Sequence, residues 1–171
     1  MAGGSGWQRA GYRLWSRLPG VVRRFVVRRA TPSYHVGAIC VIERSDGAVL
    51  LIRNTYRQKW GFPGGFLKRG ESPSEAVLRE VGEEVGAQVV IDDNPMVVVD
   101  AEFRRVDVIF SGRPVDEQAV SDITPRSPEI LAASWFAPDA LPELQPEAVA
   151  ALVQLGRAER RRLDGPDTPS S

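Results

Sequence analysis

The order of apolar and helical segments predicts an α/β (α+β) fold, in which helices cover a mixed sheet. Apolar, β-branched runs that are typical of strands stand on both sides of one glutamate-rich segment with helical periodicity. A second helical pattern lies near the end of the chain. The 171 residues, 43% of them hydrophobic, suffice for one core but hardly for two, so we expect a single domain with tails.

The first two predicted strands lie in HVGAICVIE and AVLLIR, which RSDG separates. Asp46 and Gly47 form a hairpin signal, so we expect these strands to be adjacent and antiparallel. WGFPGGFLKRGE is predicted as a Gly/Pro loop. Strand character returns in QVVI, MVVVDAEF, RVDVIFSG and AASWF. The last helix is predicted from about Pro146 to Arg161. Apolar residues of this last segment are Leu144, Val149, Leu152, Val153 and Leu155.

Composition and charge argue against several classes of protein. The 22 basic and 22 acidic residues balance, so no overall field favours nucleic acid or a membrane. Because Cys40 is the single cysteine, an internal disulfide and a Cys-rich zinc site are excluded. No run approaches the roughly 20 apolar residues that span a bilayer, and no secretory h-region is present near the N-terminus. We therefore expect a soluble, cytoplasmic protein in a reducing setting.

Residues 1–33 are predicted to form a basic amphipathic extension, and residues 158–171 a polar C-terminal tail. The first 42 residues contain seven arginines and no acidic residue. One interpretation is a helix or two docked on the core with a solvated arginine face, broken at Pro19 and Gly20. A weak, peripheral contact of residues 7–30 with an anionic membrane surface, and a transit peptide, are the alternatives. Specific nucleic-acid binding is not expected.

The segment GESPSEAVLREVGEEVG, residues 70–86, is predicted as a helix with defined ends. Ser72 is the expected N-cap, Pro73 the first helical residue and Glu75 the partner in a capping box, while Gly86 is the expected stop. The helix has two faces. The predicted apolar face consists of Val77, Leu78, Val81 and Val85, and the other face carries Glu80, Glu83 and Glu84.

These three glutamates lie within about 100° of one another around the helix. A run of glutamates is usually a solvated face, but here no Lys or Arg follows at the position four residues later. A hard cation such as Mg²⁺ would relieve the repulsion, because carboxylates one helical turn apart can converge on one or two ions. Upstream, Gly64 and Gly65 favour either a close backbone approach to a ligand or a structural turn after Pro63.

The spacing that begins at Gly65 resembles the Nudix box, G-x5-E-x7-R-E-U-x-E-E-x-G-U, where U is a bulky aliphatic residue. Every fixed polar and glycine position matches, and only Ala87 departs, being smaller than the usual aliphatic residue. The strand order over residues 34–157 is also similar to that of the Nudix hydrolase domain. The matching positions are Gly65, Glu71, Arg79, Glu80, Glu83, Glu84 and Gly86. The resemblance implies an α/β/α sandwich with a central mixed sheet.

The resemblance also implies a pyrophosphohydrolase that cleaves a diphosphate linkage in a nucleoside diphosphate derivative or nucleoside triphosphate by Mg-activated water attack. It implies Mg²⁺ or Mn²⁺ held by Glu80, Glu83, Glu84 and the Gly65 carbonyl. Arg79 is implied to orient a metal-binding glutamate, and Glu71 to support the site as a structural carboxylate. Glu83 is the first choice for the general base, and Glu129 and Glu117 are the alternatives.

For substrate contacts, Arg53 is the first candidate for phosphate binding, and Arg57 and Lys59 are the others. Trp60 and Phe62 either stack on a base or pack against the fold. The partner implied is a nucleotide-type small molecule, and a homodimer is left open.

Substrate identity stays open. DAEFRRV lacks the proline of some ADP-ribose hydrolases, Tyr56 is the last tyrosine, and the SQPWPFP signature of NADH-cleaving relatives is absent. A nucleotide sugar, a nucleotide alcohol or a triphosphate therefore remains. Two alternative functions are a peripheral-membrane hydrolase of a lipid-linked diphosphate and a non-catalytic nucleotide-binding sensor.

Overall fold

A computed structural model describes residues 15–31, 33–121 and 123–163. The chain divides into two compact units, with the boundary between Tyr34 and His35. The first unit contains α1 (Gly20–Ala30). The elements of the second are β1 (His35–Ile42), β2 (Val49–Asn54), β3 (Gly64–Phe66), α2 (Pro73–Val85), β4 (Val89–Ile91), β5 (Met96–Asp100), β6 (Arg105–Pro114), α3 (Glu117–Ser121), β7 (Ile130–Phe136) and α4 (Pro146–Leu163).

β1 is an inner strand of a five-stranded mixed sheet. It pairs in parallel with β6, from His35 opposite Arg105 to Ile42 opposite Gly112, and antiparallel with β3 on its other edge. β4 and β5 pair antiparallel with different parts of β6. β2 and β7 form a second, two-stranded antiparallel sheet. The predicted mixed sheet is confirmed.

The core has two layers, one on each face of β1. Ala38 and Cys40 belong to a buried cluster with apolar residues of α2, whereas Ile39 and Val41 belong to a cluster with Ala148 and other residues of α4. Burial on both faces explains why β1 is a continuous apolar run rather than an alternating one. The predicted α/β/α sandwich is therefore confirmed.

The glutamate-rich helix α2 has the predicted ends. The Ser72 side chain accepts a hydrogen bond from the Glu75 amide, the Glu75 carboxylate accepts one from the Ser72 amide, and Pro73 opens the helix. Gly86 ends it in the left-handed conformation, at φ 67°. Val77, Val81 and Val85 are buried, but the prediction was wrong for Leu78, which is 43% exposed. The buried stripe passes through Ala76 instead.

The closing helix α4 begins at Pro146 as predicted and continues to Leu163, into the range predicted as a polar tail. Ala148 and Ala151 form its most buried positions. Val149 and Val153, two of the apolar residues named for this segment, are nearly half exposed. Because Ala148 and Ala151 are small, this helix can approach the second core layer closely. A pattern of large apolar residues does not reveal these positions.

The predicted β1–β2 hairpin is corrected by the structure. The turn exists, since the Gly47 amide donates to the Arg44 carbonyl at 2.9 Å and Gly47 has φ 82°. The strands then diverge into different sheets, and only Glu43 and Val49 form a bridge between them. Because β1 already pairs with β3 and β6, neither of its edges is left for β2.

The predicted Gly/Pro loop contains the short strand β3, which sequence reasoning missed. A Cβ on Gly64 would lie 2.2 Å from the Ala38 carbonyl oxygen and 2.9 Å from the Ile39 Cα, and Gly64 has φ 155°. Only glycine allows this close approach of two backbones. The strand brings Gly64 and Gly65 to the edge of the sheet beside α2.

In the first unit, α1 begins immediately after Pro19, where the break was predicted. Val22, Phe25 and Val26 are at least 40% exposed. Trp7 and Leu14 lie outside the described residues, so the membrane contact of residues 7–30 stays a prediction. No helix in the described ranges has both the length and the apolar character needed to cross a bilayer.

Two glycines of α2 give a matched test of these backbone requirements. A Cβ on Gly82 would meet nothing within 4 Å, whereas Gly86 has φ 67°. We expect Gly82→Ala to raise the free energy of unfolding by about 0.5–1 kcal/mol, because alanine favours the helix. We expect Gly86→Ala to lower it by about 1–2 kcal/mol, because a Cβ strains the left-handed conformation. Chemical denaturation measures both, and changes of the same sign would contradict the assignment.

Candidate active site

A cavity of about 260 Å³ lies between the two sheets and the N-terminal end of α4. Its lining contains three groups of side chains. The first is the carboxylates of Glu80, Glu84 and Glu129. The second, which we call the polar wall, is a connected group of amide, guanidinium and carboxylate side chains from Asn54, Arg57, Arg105, Gln145 and Glu147. The third is apolar and contains Ile39, Ile52, Phe62 and Ala148.

Arg79 is the centre of a group of carboxylates beside the cavity. Its Nε and Nη2 donate to the two carboxylate oxygens of Glu71 at 2.7 and 2.9 Å. Its Nη1 donates to Glu80 Oε1 at 2.6 Å and to Glu83 Oε2 at 3.3 Å. Nη2 also donates to the Phe66 carbonyl at 3.4 Å. One guanidinium therefore ties three carboxylates and the end of β3 together.

Glu71 is fixed from two sides. Besides Arg79, its Oε2 accepts a hydrogen bond from the Lys68 amide at 2.7 Å. The hydrogen bonds from Arg79, followed by that from the Lys68 amide, lower the pKa of Glu71 to about 2. The ion pairs in turn raise the pKa of Arg79. Glu71 therefore stays ionised and holds Arg79 in one orientation at all ordinary pH values.

Glu84 is the most buried carboxylate of α2, at 9% exposed. Burial raises the pKa of Glu84 to about 8, and the charges of Glu80, Glu129 and Glu83 act in the same direction. A hydrogen bond from the Gly64 amide, 3.0 Å from Glu84 Oε2, opposes this effect. The carboxylates of Glu80, Glu83, Glu84 and Glu129 are therefore coupled electrostatically near β3.

Gly65 lies directly against this group of carboxylates. A Cβ at Gly65 would fall 2.4 Å from Glu80 Oε1, so only glycine leaves the Glu80 carboxylate its place beside the backbone. Within the described ranges, no three acidic, histidine or cysteine side chains form a ready cation cage. Arg79 and the Gly64 amide engage the individual glutamates instead. The donor set, carboxylate and backbone oxygens alone, nevertheless fits a hard divalent cation.

Several residues predicted for the site lie outside the cavity. The Arg53 guanidinium lies 5.4 Å from the centre of the Trp60 ring. Trp60 itself packs edge-on against Phe136, with the ring centres 4.9 Å apart. Lys59 Nζ pairs with Glu143 at 2.6 Å. Arg53 and Trp60 therefore support the loop after β2, and this placement does not favour Arg53 as a phosphate ligand.

Other predicted residues do reach the cavity. Arg57 and Glu129 line it, and the buried Phe62 forms part of its floor. Glu83 lies outside the lining, with 55% of its side chain exposed, and pairs with Lys68 Nζ at 3.6 Å. The side chain of Glu117 lies outside the described part of the chain, so its role stays a prediction.

Sequence reasoning missed four cavity residues. Asn54 and Arg105 stand at the end and the beginning of strands, while Gln145 and Glu147 flank Pro146 at the start of α4. Polar residues at the ends of elements were a usable signal. What the sequence lacked was the pairing of β1 with β6 and the position of α4, which bring these distant residues to one wall.

Comparison with known proteins shows the family of this chain. The NUDIX domain profile matches residues 33–155, a range that contains β1 to β7 and the first part of α4. The chain belongs to the NUDIX hydrolase family. It is therefore an enzyme of the pyrophosphohydrolase type, which acts on phosphoanhydride bonds.

Individual relatives agree with this assignment. A MutT-like protein of Streptomyces ambofaciens is 33% identical over 119 residues, which cover 70% of this chain and 74% of the relative. A protein of Bacillus subtilis (strain 168), named as a candidate 8-oxo-dGTP diphosphatase, is 29% identical over 109 residues, covering 64% and 70%. The crystal structure of a NUDIX hydrolase from Nitrosomonas europaea has a TM-score of 0.65 at 24% identity, covering 76% and 74%. This last likeness concerns the fold.

The Glu71–Arg79 pair makes the stability of this NUDIX hydrolase depend on acid pH. Because the pKa of Glu71 is lowered from 4.5 to about 2 in the folded state, its stabilising effect is fully present above about pH 4.5. That effect is lost as the pH falls towards about 2. We expect Glu71→Gln to lower the melting temperature at pH 7, and the difference from the native protein to vanish near pH 2. Thermal unfolding from pH 2 to 7 measures this.

Exposed Glu102 provides the matched control, since Glu102→Gln removes the same charge without an ion pair to Arg79. A Glu71→Gln deficit that is the same at every pH would contradict the ion-pair explanation.

Proposed function

We propose that this NUDIX hydrolase cleaves the diphosphate linkage of a nucleoside diphosphate derivative or a nucleoside triphosphate, with Mg²⁺ or Mn²⁺ as cofactor. The observation that carries the proposal is the Arg79-centred group of carboxylates at the edge of a cavity that amide and guanidinium groups also line. Such a cavity suits a substrate with an anionic group at one end and hydrogen-bonding groups at the other. Residues 34–157 form the catalytic domain in this proposal.

The metal ligands in this proposal are Glu80, Glu83, Glu84 and the Gly65 carbonyl. When bound, the cation supplies Lewis-acid stabilisation of the negative charge on the phosphoryl oxygens. Arg79 would keep the Glu80 and Glu83 side chains extended towards the cavity edge, and Glu71 would keep Arg79 in place. The coupled charges around Glu84 support this choice, because a cation there would offset their mutual repulsion.

Glu83 is the proposed general base. It would accept the proton of the water that attacks phosphorus while the bridging P–O bond breaks and the leaving phosphate takes the electron pair. The exposure of Glu83 supports this role, because an attacking water reaches it from solvent. Glu129 is the alternative base, since it lines the cavity and is close enough to Glu84 for its charge to raise the pKa of Glu84.

The substrate is proposed to be a nucleotide. The name of the Bacillus subtilis relative, which refers to 8-oxo-dGTP, supports a nucleotide as the substrate class. Arg57 supports it independently, since its guanidinium lines the cavity. Arg53 is a weaker candidate than Arg57 for a substrate ligand, because its guanidinium lies on the Trp60 ring.

The test is a hydrolysis screen of nucleoside triphosphates and nucleoside diphosphate derivatives, with products identified by mass. We expect turnover with Mg²⁺ that EDTA abolishes and that fresh Mg²⁺ restores. We expect Glu83→Gln to reduce kcat by about 10²–10⁴-fold, because it removes the proton acceptor and one anionic oxygen donor. Melting temperature and circular dichroism establish that the variant is folded.

Glu102→Gln again serves as the matched control and should keep native turnover. Near-native turnover of Glu83→Gln would transfer the base assignment to Glu129, and a large loss in Glu129→Gln would then identify it. Phosphate release that is independent of a divalent cation would contradict the proposed function itself.

A further inference from the structure

Gln145 is a buried amide that connects three parts of the cavity wall. It is only 6% exposed. Its Oε1 accepts a hydrogen bond from Arg57 Nη1 at 2.5 Å, and its Nε2 donates to the Lys59 carbonyl at 3.0 Å and to Asn54 Oδ1 at 3.3 Å. A Cβ on Gly61 would lie 3.0 Å from this amide, so the backbone packs closely against it. The side chain of Gln145 therefore has little freedom to move.

The chemistry of the partners fixes which way the Gln145 amide points. A backbone carbonyl only accepts hydrogen bonds, and a guanidinium group only donates them. Nε2 must therefore face the Lys59 carbonyl, and Oε1 must face Arg57. If the amide were rotated by 180°, Oε1 would face the Lys59 carbonyl oxygen and Nε2 would face Arg57 Nη1. The first pair has two acceptors and the second has two donors, and each unsatisfied buried pair would lower the stability of the fold.

The fixed amide of Gln145 in turn fixes the amide of Asn54. The second hydrogen of Gln145 Nε2 is directed at Asn54 Oδ1. One of the two lone pairs of Asn54 Oδ1 is thereby engaged. Both hydrogens of its Nδ2 stay available to a ligand, since Nδ2 donates to no other residue in the described ranges. Asn54 lines the cavity, so it offers donors there.

Arg57 adds further donors at the same wall. Its Nη1 is used by Gln145 and by Glu147, and the remaining N–H groups of the guanidinium are donors only. Asparagine recognises adenine through paired donation and acceptance, which needs a free Oδ1, whereas donor groups such as arginine suit the keto oxygen and N7 of guanine. Glu147, the carboxylate of this wall, is paired with Arg57 and Arg105, so Asn54 Nδ2 and the remaining N–H groups of Arg57 are the groups that match a base edge presenting acceptors.

We propose that Gln145 is a positioning residue that makes the cavity select nucleotides with a keto-bearing base, guanine or uracil, over those with an amino-bearing base, adenine or cytosine. Through Gln145, Asn54 directs its Nδ2 donor to the base, beside the N–H donors of Arg57. The proposal rests on the proposed nucleotide substrate and adds the base class and the residues that choose it.

The test compares ITP, which has the keto edge of guanine without its 2-amino group, with ATP, and UTP with CTP. Within each pair, a keto oxygen beside a ring N–H replaces an amino group beside an unprotonated ring nitrogen. Dissociation constants are measured on the full chain by calorimetry with Ca²⁺, and kcat/KM is measured with Mg²⁺. In the native protein we expect the keto member of each pair to bind roughly tenfold more tightly. Because the first measurement does not require turnover, binding preference and catalysis are read separately.

Gln145→Glu keeps the shape of the side chain but replaces the Nε2 donor by an acceptor. Asn54 must then turn its Nδ2 towards residue 145 and its Oδ1 towards the cavity, and we expect the keto preference to fall to about threefold or less. Asn54→Asp removes the donor directly and should have the same effect. If Gln145→Glu has no cooperative melting transition and is therefore not folded, the Asn54→Asp variant alone tests the proposal. Gln58→Glu, the same change at an exposed residue of the same loop, should keep the native ratio.

Equal binding of both members of each pair by the native protein, or failure to bind any of the four, would overturn the proposal. So would a preference that both Gln145→Glu and Asn54→Asp preserve. An equal weakening of all four nucleotides by both variants would assign the wall to the phosphates instead and would also overturn it. A keto preference in binding without Mg²⁺-dependent turnover would support base selection and contradict the proposed function. Mg²⁺-dependent turnover without a keto preference would support the proposed function and contradict base selection.

Discussion

The guanidinium of Arg79 is the interaction on which the candidate site depends. It joins Glu71, Glu80 and Glu83, and it also reaches the carbonyl of Phe66 at the end of β3. A helix with three clustered glutamates and no basic residue four positions later would repel itself, and Arg79 offsets that repulsion from the preceding turn. Glu71 stays ionised, and its ion pair with Arg79 holds the guanidinium in place beside Glu80 and Glu83.

The rest of the fold supports this arrangement from two directions. The capping box and the left-handed Gly86 fix both ends of α2, and its valines anchor it on one face of β1. On the other side of the cavity, Gln145 ties the loop after β2 to the start of α4. Both halves of the cavity are thus held by buried polar contacts, which fix orientations more narrowly than apolar packing does.

The acidic half of the site was predictable from sequence, because its residues lie within one continuous segment and helical geometry fixes their spacing. The ends of α2 were predictable for the same reason. Most of the polar wall was not. Arg57 was a candidate from sequence, but Asn54, Arg105 and Gln145 come together only through strand pairing and helix docking over long sequence distances. The mistaken β1–β2 hairpin has the same origin, because a turn signal specifies a reversal of the chain and not the partner of each strand.

The central claim is that the carboxylates around Arg79 form one divalent-cation site, and Mn²⁺ binding tests it without reference to any substrate. Metal-free full-length chain is titrated with Mn²⁺, and free Mn²⁺ is followed by electron paramagnetic resonance. Saturable binding is predicted in the native protein and in Glu102→Gln, with at least tenfold weaker binding in Glu80→Gln and in Glu84→Gln. Equal Mn²⁺ affinity in all four proteins would contradict the claim.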